Sequence, residues 1–277
     1  MATPIGNLDD ISPRALRVLG GADVIAAEDT RVTARLLDRY GINGKLIAAH
    51  EHNERKAARW IVEQLAQGKT VALVTDAGTP AVSDPGALAV AEAHAGGFKV
   101  VPVPGPNAAA AALSAAGFAD GPFLFLGFLP SRPAARRKAL ERVNALPYTL
   151  VFYEAPHRII ECVEDMAGVL GADRIVVLAR ELTKVFEEIH RIRLGDAAAW
   201  LRVDANRQRG EHVLVVEGAS EKEIAADSDW EHVLAELLEE LPVARAVKLV
   251  CKLTGAKKNT VYARALQRAT KRSSETT

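Results

Sequence analysis

A chain of 277 residues with 35 Lys and Arg against 35 Asp and Glu has no net charge, which excludes a uniformly basic nucleic-acid coat but leaves room for a local basic patch. Apolar residues make up 49% and charged residues 25%, the balance of a globular protein with length for two domains and an extension, and no apolar run approaches the ~18 residues of a membrane span. Cys162 and Cys251 stand alone, with no pair spacing for zinc, redox chemistry or a disulfide framework, so a reducing cytoplasm is the expected setting.

In chain order, Met1–Asn7 turns at once, where an α/β domain ordinarily places a strand, so the expectation is either a true start upstream or a first strand that is a stub. Ser12-Pro13 starts a helix, Ser as N-cap and Pro at the first helical position, which ends at Gly20-Gly21. Strands are expected over 23–27, 46–49, 71–74 and 100–103. Helices are expected over 30–40, from Asn53 as a cap to Gln67, over 85–94, and over the alanine-rich stretch from Asn107 to Ala116. Such alternation predicts a parallel sheet covered by helices on both faces. After the linker 117–122 a second α/β set follows. Its strands are expected at 123–127, 149–153, 174–179 and 212–216, and its helices at 132–145, from Pro156, and at 196–203. The expected divisions are therefore residues 1–117, 118–219 and 220–277.

Beyond Ser220 the composition changes. An acidic helix over 229–241 precedes a basic end, where nine cations face a single acid, Glu275, between Arg245 and Thr277. A helix over 243–253, a turn at Thr254-Gly255 and a helix from Lys257 read as a helix-turn-helix. Lys257, Lys258, Arg264 and Arg268 suit phosphates, and Tyr262 suits stacking on a base. A solvated basic helix or a packing extension is the alternative.

The most informative stretch is Thr75-Asp76-Ala77-Gly78-Thr79-Pro80-Ala81-Val82-Ser83-Asp84-Pro85-Gly86. It joins the carboxyl end of a strand to a helix, where open α/β sheets place ligands. Two glycines let backbone approach a ligand and two prolines stiffen the loop. Asp76, Thr79, Ser83 and Asp84 supply polar reach. The plainer reading is a long strand-to-helix turn.

The chain resembles the tetrapyrrole methylase superfamily, and within it the ribosomal RNA small-subunit methyltransferases that modify the ribose 2′-oxygen of a cytidine in 16S rRNA. The resemblance rests on Ala2-Thr3-Pro4-Ile5-Gly6-Asn7-Leu8, Ala27-Glu28-Asp29-Thr30-Arg31 and the loop Asp76 to Gly86. Further on it rests on Pro104-Gly105-Pro106, Gly127-Phe128-Leu129-Pro130, Tyr153-Glu154-Ala155-Pro156-His157-Arg158, Arg180-Glu181-Leu182-Thr183-Lys184 and Gly210-Glu211. It implies two α/β domains of the tetrapyrrole methylase type with an S-adenosylmethionine cleft between them, and a small C-terminal helical module. It places the cofactor against Pro4, Ile5, Asp76, Ala77, Gly78, Thr79, Val82, Asn107, Ala108 and Glu154. Ala108 has a second reading, since it opens an alanine-rich helix whose small residues suit packing.

A ribose hydroxyl needs a base or a nearby cation to attack a methyl group. The expectation is that Asp29 or Glu181 orients or deprotonates it, with Arg31 and Lys184 holding phosphates or lowering its pKa. The competing reading makes these pairs salt bridges. His157 is the histidine of first interest, with helix capping as its other role, and no metal is expected. The resemblance also implies a homodimer and 16S rRNA in the small ribosomal subunit as partner, with no membrane or DNA. A tetrapyrrole methyltransferase and a non-catalytic ribosome-assembly factor are the alternatives.

Overall fold

The computed structural model describes the backbone of residues 1–118, 121–220, 230–254, 256 and 258–275, and the side chains of all of these but 231, 232 and 267–275. The chain divides into two compact units. One holds residues 1–139 and 149–217, the other 140–148 and 218–277.

In the first unit, α1 (Pro13–Gly21) begins as its sequence requires, with the Ser12 hydroxyl accepting from Ala15 N. β1 (Val24–Ala27) is buried along its whole length and lies between β2 (Leu46–Ala48) and β3 (Val71–Val74), all parallel. A continuous apolar run is what a central parallel strand, covered on both faces, demands. α2 (Thr30–Arg39), α3 (Glu54–Ala66) and α4 (Ala87–Ala95) follow the three strands. Asn53 occupies the N-cap of α3 but makes no cap bond with its side chain; its Oδ1 accepts from His50 N and its Nδ2 donates to Ala48 O.

The strand expected over 100–103 does not form a ladder. Its one backbone tie to the chain's start is Ala2 N to Val103 O, at 3.1 Å. The Met1 ammonium donates to Leu73 O and the Thr3 hydroxyl to Thr75 O, so Met1–Thr3 runs as a stub beside β3. A strand needs a partner of matching length, and three residues do not supply a ladder.

α5 (Ala108–Ala116) is capped by Asn107, whose Oδ1 accepts from Ala110 N, and ends at left-handed Gly117. The second sheet has five strands: β4 (Phe123–Phe128), β5 (Thr149–Glu154), β6 (Ile175–Arg180), β7 (Glu188–Arg193) and β8 (His212–Val216). Their order is β4-β5-β8-β6-β7, and only the β4–β5 pair is parallel. The sheet is therefore mixed. β7 was absent from the sequence expectation, which placed a loop there. α6 (Pro133–Glu141), α7 (Ile159–Leu170) and α8 (Leu194–Val203) complete this set. α6 stops four residues short of the expected end, and α7 begins after a 3-10 turn at Pro156–Arg158.

The second unit has its own core. Trp230, Leu234, Ala246, Val247, Val250, Val261 and Ala265 pack together from three helices, Trp230–Glu240, Val243–Thr254 and Lys258–Glu275. Lys257 and Asp229 lie outside the described residues.

Candidate active site

Within the first unit a cavity of about 330 Å³ opens where the carboxyl ends of β3, β4, β5 and β6 meet the start of β8 and the N-terminus of α5. That volume is in the range of small-molecule sites. Its floor is the loop 75–86. Gly78 there pairs with Thr3 as an antiparallel bridge, N to O at 3.1 Å and O to N at 2.9 Å. Four of its residues take positive φ: Gly78 (78°), Ala81 (66°), Ser83 (64°) and Gly86 (129°). Ala81 and Ser83 carry a Cβ, so each holds a conformation that costs about 1–3 kcal/mol and persists only because the surroundings impose it. Glu54 anchors the far end, its Oε1 accepting from Gly86 N and Leu88 N.

Of the cofactor positions expected from sequence, Ile5, Ala77, Gly78, Thr79, Val82, Asn107, Ala108 and Glu154 line this cavity. Pro4 and Asp76 do not. Pro4 is buried beneath the turn. Asp76 ties strand ends together, accepting from Asp29 N and donating its own N–H to Glu28 Oε2. Thr79 donates its hydroxyl to Pro106 O, which fixes the loop against the turn before α5. Glu154 is 2% exposed and faces Arg158, with Nη2 and Nε each 3.1 Å from a carboxylate oxygen.

None of the four expected catalytic residues lines the cavity. Asp29 grips Arg31 through Nε and Nη2 and also caps α2 at Arg31 N. The Arg31 guanidinium holds the Asp29 carboxyl far below the usual carboxylate range. Arg31 itself is 85% exposed. Glu181 Oε1 accepts from Lys184 Nζ at 2.8 Å and from Glu211 N at 2.9 Å, while Lys184 Nζ also reaches Glu211 Oε2 at 2.9 Å. Burial pushes the Glu181 carboxyl up, but these partners outweigh it and leave it below its ordinary value. The trio reaches the cavity only through Glu211.

Sequence reasoning missed several lining residues. Phe128 and Tyr153 meet edge to face at 5.7 Å and form an apolar wall. The Tyr153 oxygen accepts from Ala109 N. His212 stands in one rung across the sheet, Glu154–His212–Arg180–Glu188. Its neighbours in that rung are ion-paired with Arg158 and with each other, but neither of its ring nitrogens has a partner among the described residues. Burial, then the charge of Arg180, holds His212 down to about 4, so the ring is neutral at physiological pH. In the sequence Asp84 is one of four polar residues of its loop, with nothing to single it out. It lines the cavity, and burial followed by the charge of Glu28 pushes its carboxyl up to about 6. The motifs Tyr153-Glu154 and Gly210-Glu211 were the available signals for this wall.

In the second unit, Lys258 is exposed and Tyr262 is 43% exposed, on the helix whose Val261 and Ala265 face the core. Arg264 is exposed too. The side chain of Arg268 is outside those described. Among the described residues no three His, Cys, Asp or Glu side chains converge as a metal would require.

The model of the Tetrapyrrole (Corrin/Porphyrin) Methylases matches residues 2–198, and that of the RsmI C-terminal HTH domain matches residues 224–269. The chain is 51% identical over 270 residues to the ribosomal RNA small subunit methyltransferase I of Pseudomonas aeruginosa, which covers 97% of this chain and 96% of that one. It is 49% identical to the protein of the same name from Escherichia coli O157:H7, over 96% of this chain and 93% of the relative. Among solved structures, the methyltransferase CobJ superposes with a TM-score of 0.58 at 22% identity, covering 77% of this chain and 90% of that one. Diphthine synthase superposes with a TM-score of 0.59 at 19% identity, covering 78% and 87%. A uroporphyrin-III C-methyl transferase from Thermus thermophilus, complexed with S-adenyl homocysteine, gives 0.52 at 17%, covering 76% and 93%.

Proposed function

The chain belongs to the tetrapyrrole methylase family, and within it to the ribosomal RNA small subunit methyltransferases I, and from this premise we propose that it methylates the ribose 2′-oxygen of a cytidine in 16S rRNA, the cytidine-1402 type of site, with S-adenosylmethionine as donor. It is a methyltransferase. The observation that carries the RNA substrate is the near-full-length identity to relatives bearing that name, including the basic C-terminal unit. The methyltransferase CobJ at 22% identity and the uroporphyrin-III C-methyl transferase at 17% support a common fold and nothing more.

The cavity suits the donor. When bound, S-adenosylmethionine supplies a methyl group on a cationic sulfur. Of the N–H groups that open α5, Ala109 N and Ala110 N are taken by Tyr153 and Asn107, and Ala108 N, at the cavity, suits a carboxylate. Phe128, Tyr153, Leu182 and Val213 offer apolar surface for an adenine. The unpartnered His212 ring adds a donor and an acceptor to that wall. In this reading Glu181 and Lys184 act by holding Glu211 at the cavity, and Arg31 meets an RNA phosphate. The protein works in the cytoplasm as a homodimer, with the basic helices on the small subunit.

The test is chemical. Small ribosomal subunits are treated with the protein and labelled cofactor, and the RNA is hydrolysed in alkali. A 2′-O-methyl blocks attack on the neighbouring phosphate, so label is expected in an alkali-resistant dinucleotide. Label confined to mononucleotides places the methyl on a base and rejects the ribose assignment.

A further inference from the structure

We propose that Asp84 is the catalytic base, the group that takes the proton from the ribose hydroxyl as the methyl is transferred; this rests on the function proposed above. Three carboxylates line the cavity. Glu154 is paired with Arg158, and Glu211 with Lys184. Asp84 is paired with no cation among the described residues. The charged groups that act on it are Glu28 at the end of β1, Asp76 in its own loop and Glu211 before β8, all acids. A carboxylate gripped by an arginine or lysine has lost its appetite for a proton, as Asp29 has; Asp84 has kept it.

The other proton acceptors at the cavity are unsuited. The His212 ring is 3% exposed and held at low proton affinity by burial. Burial raises the Tyr153 phenol, which therefore stays protonated, and its oxygen already accepts from Ala109 N. Burial and acidic neighbours instead leave the Asp84 carboxyl near 6, ionised at neutral pH yet basic enough to share a proton in a transition state.

Backbone geometry holds Asp84 in place. It lies between Ser83, at φ 64°, and Pro85, which confines the preceding residue to extended conformations. Ser83 is pressed against Gly127, where an added Cβ would stand 2.8 Å from its Oγ. Left-handed Ser83 before it and Pro85 after it thus fix the backbone on both sides of this carboxylate in the cavity wall.

The step balances. The hydroxyl proton passes to an Asp84 oxygen, and the ribose oxygen's electron pair forms the bond to the methyl carbon. The carbon–sulfur bond breaks with its pair left on sulfur, so the sulfonium ends as a neutral thioether. Asp84 then returns its proton to water.

The test uses the full-length protein with Asp84→Asn and Asp84→Glu. Asn is expected to slow methyl transfer to small subunits by about 10²–10⁴-fold. It should change the calorimetric dissociation constant for S-adenosylmethionine by less than about threefold, because the carboxylate acts on the hydroxyl. Wild-type kcat should fall on an acidic limb centred near the Asp84 titration, and Glu should restore part of the rate with the limb displaced. Carboxyl ¹³C titration of the cofactor-free protein should show one resonance moving near pH 6 that Asp84→Asn removes. An Asn variant within fivefold of wild type overturns the assignment, and so does a rate loss matched by an equal loss of cofactor affinity. Wild-type protein that puts no methyl on ribose overturns the function proposed above and the base with it. Wild-type ribose methylation that persists in Asp84→Asn overturns the base alone.

Discussion

Asp84 and His212 bend the pH dependence of stability in opposite directions. The Asp84 carboxyl rises from an ordinary 3.8 to about 6 in the fold. Between those values the native state holds a proton that the unfolded chain has released, so stability falls as pH rises and the penalty is complete above about 6. His212 falls from 6.5 to about 4. Below 6.5 the unfolded chain binds a proton that the native state refuses, so stability is lost as pH falls through that window. Between about 4 and 6 the two slopes oppose each other. Asp84→Asn is therefore expected to stabilise the protein at pH 7.5, by about 1–2 kcal/mol once solvent screening of a partly exposed group is allowed for. The gain should vanish by pH 4, and the variant should lose stability more steeply than wild type as pH falls from 6.5, with the His212 slope no longer offset. Urea melts at pH 4, 5.5 and 7.5 check this. A gain of equal size at all three would mean that the Asp84 carboxyl titrates in the fold as it does in the unfolded chain.

The bulge in β4 shows how an element sets a side chain it does not carry. Gly127 has φ 63° and sits where the β4–β5 register shifts. Gly127→Ala adds a left-handed penalty and a Cβ against Ser83 Oγ, together about 1–3 kcal/mol, and displaces Asp84. Methyl transfer should drop by at least about tenfold, since misplacement of a reacting group by about 1 Å can cost 10²-fold. Gly20→Ala in α1 meets nothing within 4 Å and should stabilise by about 0.5–1 kcal/mol with activity unchanged, which makes it the control. Thermal melts and initial rates separate the two. What was legible in the sequence follows the same division between local and distant causes. Ser12 and Asn107 cap their helices because a cap is decided within three residues. The loop 75–86 was readable from its Gly and Pro density and its place after an apolar run. β7 was not, because an edge strand with one partner needs no apolar face, and Glu188–Arg193 carries charges instead. Val100–Val103 read as a strand on propensity, but pairing is non-local and only Ala2 meets it. The fate of Glu181 depends on Glu211, 30 residues away, and the want of a cation at Asp84 emerges only when β1, the loop and the start of β8 converge.

At the scale of the whole molecule, zero net charge conceals a division of labour. The methylase unit concentrates carboxylates at its cavity, while nine cations gather between Arg245 and Thr277. Acidic groups at the cavity favour a cationic donor and repel phosphate, so an RNA substrate has to be held by charges elsewhere. Lys248, Lys252 and Lys258 are exposed on the two basic helices, and Lys248 and Lys252 are one turn apart on the same face. Each phosphate neutralised releases counterions, which contributes about 0.7–0.9 to the slope of log K against log salt. Replacing all three lysines with Gln is expected to weaken binding to small subunits and flatten that slope by about 2, while calorimetry with S-adenosylmethionine stays unchanged. Binding measured between about 50 and 200 mM salt spans the range in which the effect is large. A triple variant that binds as tightly with the same slope would assign these helices to packing, and the charges that hold the RNA would then have to be sought around Arg31 at the rim of the first sheet.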